Sequence, residues 1–352
     1  MPKDKGRLVV IQHLRAIAAL MVVLHHARNP APWLFNPLEH YVALAWGVDI
    51  FFVISGFIMY VAARNEAPSD FLGRRLTRIV PLYWASTLAL MCLATHFRPW
   101  TVWPQDVPHI VQSLLFIPHY SPQFPDKVWP YLIPGWTLNY EMLFYAIFCV
   151  GLLLKRPLMT ATTAIVLLAA AGQLASPGGA IAKTYTAPIL LEFVCGAWIG
   201  YLYQQQTLLR AAKWILAVSF IGLLSLSHTG HVATTVGKIV FSALIIWAAV
   251  SLRRVPFHPL LKLLGDASYS IYLTHAVVSL SIAERLWRHV PVGGWPQLLG
   301  WGAFALLVSA LVGIATYLYV EKPILRLLQH RRRVVPAGQP LPQPVPAQDA
   351  TR

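Results

Sequence analysis

Residues 8–27 read LVVIQHLRAIAALMVVLHHA, and this stretch decides the fold. Twenty largely apolar residues are enough to cross about 30 Å of hydrocarbon as an α-helix. Yet the stretch carries His13, Arg15, His25 and His26. Ionisable groups inside lipid are costly and mark functional positions by default. Eleven residues make close to three turns, so Arg15 and His26 fall within about 20° of one another, roughly 16 Å apart along the axis. His25 lies about 80° off that face, and His13 is nearly opposite Arg15. One face therefore presents a guanidinium near mid-membrane and an imidazole near one end. A lone histidine at a span end is more often interfacial; the shared phase with Arg15 favours a functional reading.

The composition extends this reading to the whole chain. Of 352 residues, 57% are apolar and only 12% charged, about half the charge of a typical soluble domain. The mean hydropathy is +0.57. A soluble fold of this size would lack the charge to cover its surface, and disorder is excluded for most of the chain. The reading is an all-α, polytopic membrane helical bundle with about ten transmembrane helices. The spans are 8–27, 42–63, 79–97, 136–154, 158–174, 185–204, 212–228, 233–251, 268–286 and 297–319. The first is kept as a span rather than a cleaved signal: Asp4 and Arg15 interrupt it and no clean cleavage site follows.

The net charge of +15 in a soluble chain would suggest nucleic acid; here basic loops on one side of a membrane are the commoner cause, and no nucleic-acid partner is expected. With the N-terminus placed in the cytoplasm, twenty of the 28 Lys and Arg fall on that side and seven on the other, with Arg15 inside a span. The bias supports ten spans with both termini cytoplasmic, as in a multi-pass protein of a bacterial inner membrane. Cys92, Cys149 and Cys195 each sit in an apolar run and read as packing residues, not as a disulfide framework or metal site. The segment 98–135 contains eight prolines, which forbid one continuous helix; 109–117 is long enough for a short interfacial helix. The expected organisation is one transmembrane domain, 1–333, followed by a disordered Pro-rich tail, 334–352.

Other spans carry polar groups. Asp49 lies in GVDIFFVISGF (47–57), beside the small residues Gly47, Ser55 and Gly56; a buried carboxylate needs a partner, and Arg15 is a candidate. In RRLTRIVPLYW (74–84), Arg75 and Arg78 share a face if helical. They read either as membrane anchors or as a phosphate clamp, since the guanidinium fork matches phosphate oxygens. Glu141 in WTLNYEMLFY (136–145) sits at the depth of His26. It either orients that imidazole as a catalytic dyad or bonds locally to backbone or Trp136. Ser268, Tyr269, Tyr272 and His275 in LGDASYSIYLTH (264–275) form a polar stripe that either lines a channel or glues helices together. Glu321–Lys322 reads as a local surface feature at the end of the last span.

Taken in order, LRAIAALMVVLHH, GVDIFFVISGF, RRLTRIVPLYW, WTLNYEMLFY, LLEFVCGAWIG (with Glu192), LGDASYSIYLTH and YVEKP resemble the acyltransferase-3 family of membrane acyltransferases, which O-acetylate exopolysaccharides and lipopolysaccharides. The resemblance implies a ten-helix core, an acyl-coenzyme A donor (acetyl-coenzyme A above all) and transfer to a hydroxyl of a polysaccharide or lipid-linked glycan. It implies no bound cofactor and no metal. It assigns the Arg/His pair to Arg15 and His26 and a donor-side motif to Arg75 and Arg78. His25 stands where the motif usually has an aromatic; helical phase favours His26 as the acting ring. Many relatives carry a further soluble domain, so the chain looks like the stand-alone type. The expected catalytic residues are His26, Arg15 and Glu141; the expected substrate-binding residues are Arg75, Arg78, Asp49, Ser268, Tyr272 and His275. Trp100, Trp103 and Trp129 are either sugar platforms or an interfacial belt. A proton-coupled transporter or a polysaccharide flippase is the rival reading, since transporters also hold His, Arg and Glu within spans.

Overall fold

A computed structural model describes residues 2–29, 31–97, 103–226, 231–252, 255–276 and 280–334, and among these every regular element is helical. The helices are α1 (Pro2–Ala27), α2 (Gly47–Ala63), α3 (Pro68–Phe97), α4 (Trp103–Leu114), α5 (Trp136–Leu153), α6 (Pro157–Ala175), α7 (Ala180–Tyr185), α8 (Leu191–Gln204), α9 (Ala212–Ser225), α10 (His231–Ser251), α11 (Pro259–Asp266), α12 (Ser268–Thr274), α13 (Leu280–Trp287), α14 (Gly294–Thr316) and α15 (Lys322–Val334). The expected Pro-rich tail beyond 334 and Trp100 lie outside the described residues, as does the side chain of Trp103.

Among the described residues, seven segments are long and apolar enough to cross a membrane: Val9–Ala27, Ala43–Ala63, Ile133–Leu153, Pro157–Ala175, Ala180–Gln204, Val232–Ser251 and Gly294–Leu328. The other three expected spans take different forms. Residues 79–97 are the second part of α3, whose first part carries Arg74, Arg75 and Arg78. Residues 212–228 give α9, only 14 residues long. Of residues 268–286 the structure describes α12 and α13, with 277–279 outside the described residues. Helices satisfy their own backbone groups, which lipid demands. The outward face is one that water would not tolerate: Leu167, Leu174, Val218 and Ile221 are each more than 60% exposed.

α1 runs through the middle, packed against α2, α10, α11, α12 and α14. Its Ala16, Ala18 and Ala19 are buried, and such small residues let neighbouring backbones come close, which is how helices associate where no hydrophobic force separates them from lipid. The tightest crossing joins α2 and α8. A Cβ on Gly56 would lie 2.0 Å from the Phe193 carbonyl oxygen, and one on Gly196 would lie 2.0 Å from that of Val53. Next to this crossing the aromatic core stacks Phe144 on Phe193, with ring centroids 4.7 Å apart, and Phe52 on Phe193 at the same distance.

Side-chain hydrogen bonds define two ends of the bundle. At the end reached by Ala27, Trp301 Nε1 donates to the Ala27 carbonyl (2.6 Å), Trp33 Nε1 to Glu284 (3.0 Å) and Tyr41 Oη to the Leu224 carbonyl (2.8 Å). At the opposite end α11 lies against α1, with Gly265 over Gln12, and Gln204 Nε2 donates to the Val61 carbonyl. The expected short helix in the proline-rich connection is α4. It is pinned by Tyr83 Oη donating to the Ser113 carbonyl (3.2 Å) and by the Tyr131 amide donating to Ser113 Oγ (2.8 Å).

Because backbone, not a flexible side chain, faces Gly196, Gly196→Leu forces α2 and α8 apart. It is expected to destabilise the bundle by about 3 kcal/mol. Size-exclusion chromatography in detergent checks this: the variant gives little monodisperse protein, whereas Gly178→Ala, in open space, matches the parent.

Candidate active site

Five helices of the bundle enclose a cavity with about 780 Å³ of space including its open mouth, within the range of small-molecule sites. α1 contributes Arg15, α3 Arg75 and Arg78, α5 Thr137, Glu141 and Tyr145, and α12 Ser268, Tyr269 and Tyr272; Val48, Phe52, Ser55 and Met59 of α2 form the facing wall. The i,i+3 spacing sends Arg75 and Arg78 inward together. Arg74, one residue away, turns aside to pair with Glu66. Three guanidiniums thus face one carboxylate in a partly open cavity.

Each polar wall group is held differently. Arg15 Nη1 donates to Gln12 Oε1 (3.2 Å), one turn below it on α1. Glu141 Oε1 accepts from Ser55 Oγ (2.9 Å) and from Tyr145 Oη (2.5 Å). Tyr269 Oη donates to the Ile79 carbonyl (2.9 Å), and Tyr272 Oη lies 3.0 Å from the Pro134 carbonyl and 3.1 Å from Thr137 Oγ1. Arg75 Nε and Ser268 Oγ are buried with no hydrogen-bond partner among the described residues. Buried donors left so are costly, and a cavity with excess positive charge and unused donors is shaped for an anionic, oxygen-rich ligand.

His26 is not in the cavity wall. It stands towards the Ala27 end, half-buried, with Nδ1 3.0 Å from the Val22 carbonyl and 3.1 Å from His275 Nε2. His275 is completely buried; its Nδ1 lies 2.6 Å from the Tyr272 carbonyl and its ring 5.8 Å from that of Tyr272. Tyr272 therefore belongs to both places, as cavity wall on one side and support of the histidine pair on the other. His25 meets His26 edge-on, with centroids 5.1 Å apart.

Four expectations are corrected. Glu141 is not the partner of His26: equal depth does not make two helices adjacent, and its carboxylate is taken by Ser55 and Tyr145. Asp49 does not join Arg15 or the cavity. It lies about 100° round α2 from cavity-facing Val48, is buried, and pairs with Lys238 of α10 at 3.1 Å; Glu192 of α8, also buried, interacts with both, and Lys238 Nζ sits 4.7 Å from the Trp46 ring centroid. His275 leaves the stripe of Ser268, Tyr269 and Tyr272 to meet His26. Glu321 is no surface residue: it is buried and accepts from Ser270 Oγ at 2.6 Å. Arg15, Arg75, Arg78, Ser268 and Tyr272 do come together. The sequence reading missed Tyr145, which its i,i+4 spacing from Glu141 would have signalled, and Lys238, a lone lysine within an apolar span. Cys92, Cys149 and Cys195 form no disulfide among the described residues. Trp129 packs on Phe124 at 5.3 Å.

A profile of the acyltransferase domain matches residues 8–320. The exopolysaccharide production protein ExoZ of Rhizobium meliloti (strain 1021) is 35% identical over 311 residues, covering 85% of this chain and 95% of that protein. The acyltransferase MdmB of Streptomyces mycarofaciens is 26% identical, covering 98% of this chain and 99% of that protein. No solved structure gives a significant match.

The Asp49–Lys238 pair yields a direct test of the ionic cluster beside the cavity. Lys238→Met strands buried carboxyl groups and is expected to cost about 3–5 kcal/mol. Adding Asp49→Asn recovers a large part of the loss. Thermal melting of the purified single and double variants reads both effects.

Proposed function

The chain belongs to the acyltransferase-3 family and is a membrane acyltransferase, and on that premise we propose that it moves an acyl group, acetyl above all, from acyl-coenzyme A to a hydroxyl of a cell-surface or exported polysaccharide. The observation that carries this is the convergence of Arg15, Arg75 and Arg78 on one cavity, with the hydrogen-bonded His26–His275 pair beyond its Tyr272 wall. The similarity to ExoZ, an exopolysaccharide production protein, supports the class of acceptor. The protein works in the bacterial inner membrane with both termini in the cytoplasm, where coenzyme A is found; the distribution of Lys and Arg supports that orientation.

In this mechanism Arg75 and Arg78 hold coenzyme A phosphates. The pantetheine arm runs along the cavity past Ser268 and Tyr272, bringing the thioester towards His26. A sugar hydroxyl holds its proton far above neutral pH and needs a base. His26 Nε2 takes that proton as the oxygen attacks the thioester carbon. Arg15, three turns below His26 on α1 and bonded to Gln12, joins Arg75 and Arg78 in holding the anionic donor, not the reacting carbon. When the tetrahedral intermediate collapses, the carbon–sulfur bond breaks and the proton passes from His26 to the departing thiolate. Glu141, fixed by Ser55 and Tyr145, tempers the repulsion among the guanidiniums. Asp49 has no part in binding on this reading.

The test uses purified protein in nanodiscs, labelled acetyl-coenzyme A, and polysaccharide from cells lacking the gene, with nuclear magnetic resonance of the polymer as product readout. The wild type gives acetylated polymer. His26→Ala lowers kcat by about 1,000-fold with normal folding. Arg75→Ala and Arg78→Ala each raise KM for acetyl-coenzyme A by about tenfold or more. Full activity in His26→Ala overturns the assignment; passage of unmodified solute without donor turnover favours a proton-coupled transporter or flippase.

A further inference from the structure

We propose that His275 is a positioning residue that fixes the tautomer and orientation of the His26 ring, doing with a neutral imidazole what a carboxylate does in a catalytic triad. The inference rests on His26 being the base of the proposed reaction. It follows from a chain of hydrogen bonds in which each link decides the next.

The first link is at the far end. The helix passes into a π turn at His275–Ala276, and His275 Nδ1 lies 2.6 Å from the Tyr272 carbonyl oxygen. A carbonyl only accepts, so the His275 proton sits on Nδ1 and donates to it. That leaves His275 Nε2 with a lone pair, 3.1 Å from His26 Nδ1. His26 Nδ1 must therefore carry its proton and donate. The Val22 carbonyl, 3.0 Å away, agrees with this direction. As an i−4 carbonyl within α1, however, it is already the natural acceptor of the His26 backbone amide. His275 Nε2 is the acceptor with nothing else to serve.

The consequence falls on the other nitrogen. With the proton on Nδ1, His26 Nε2 bears a lone pair, and it has no hydrogen-bond partner among the described residues. The nitrogen that must take a proton from the acceptor is the one left open. Were the tautomer reversed, Nε2 would carry a hydrogen already and the ring could not act as a base. During transfer the proton arrives at Nε2, and the Nδ1–H···Nε2 bond to His275 becomes charge-assisted and shortens. No proton needs to move between the rings. Complete burial holds His275 in place, and because it is absent from the cavity wall it acts through His26, not on the donor.

Substitutions at His275 separate this role from packing. His275→Gln carries its amide oxygen to the position of Nε2 and keeps an acceptor. His275→Asn ends short of His26, and His275→Phe keeps the bulk without an acceptor. In nanodiscs, with nitrogen-15-labelled histidine assigned by difference against His26→Gln, wild type and His275→Gln are expected to show His26 protonated at Nδ1 alone. His275→Asn and His275→Phe are expected to show a mixture of tautomers. In turnover of labelled acetyl-coenzyme A, His275→Phe and His275→Asn lose about 100-fold in kcat, with KM for the donor within twofold of wild type; His275→Gln stays within about tenfold of wild-type kcat. The inference is overturned if His275→Phe or His275→Asn folds and keeps both the single tautomer and wild-type kcat. It is equally overturned if wild-type His26 carries its proton on Nε2. If the tautomers shift as expected while no protein, wild type included, consumes acetyl-coenzyme A, the ring assignment stands and the proposed function falls.

Discussion

A guanidinium in the middle of a lipid-embedded bundle cannot stand alone, and the arrangement of the helices around α1 answers that need. Arg15 lies a dozen residues from the Ala27 end of α1 and six from Val9, where the apolar span begins, and its side chain does not extend along the bundle surface towards water. It is instead enclosed by packing, tied to Gln12, and given a polar chamber whose other walls are supplied by four different helices. Glu321 and Asp266 add attraction from α12's neighbours. The cavity is thus the space in which three cations are made tolerable inside the protein, and a ligand rich in negative oxygen relieves what the protein leaves unbalanced.

The same constraint explains why small residues govern the architecture. Apolar side chains gain little by leaving lipid for protein, so helices hold together through close backbone approach and polar links. The alanines of α1 and the paired glycines of α2 and α8 bring backbones near enough for this. The second ionic group, Asp49 with Lys238 and Glu192, sits where α2, α8 and α10 meet. It fastens one side of α2, while the adjoining faces present Ser55 to Glu141 and Phe52 to the aromatic core.

Much of this was legible in the sequence because hydropathy fixes depth and helical phase fixes direction round one axis. Those two coordinates grouped Arg75 with Arg78 and placed Arg15 inside the bundle. They also gave an all-helical membrane fold, in which seven helices among the described residues meet the length and composition of a span. Of the other three expected spans, α3 carries its arginines in its first part, α9 is short, and the ninth stretch includes residues outside those described. Which helix stands beside which is a third coordinate, and nothing local encodes it. Glu141 and His26 share a level without touching, while His26 and His275 touch although they are 249 positions apart in sequence.

That missing coordinate matters most at the histidine pair, and the choice of partner there has its own logic. A carboxylate beside His26 would be a permanent charge in a low-dielectric setting, costly to bury unless its partner were also charged at all times. An imidazole supplies an acceptor lone pair of suitable direction while remaining neutral until a proton arrives. The pair can therefore wait uncharged in the membrane and become charged only during the step that needs a base. Glu141, by contrast, sits among three guanidiniums, where a fixed negative charge is an advantage. The two sites divide the labour by dielectric environment: standing charge is kept in the cavity that has cations to match it, and transient charge is kept at the ring pair that has none.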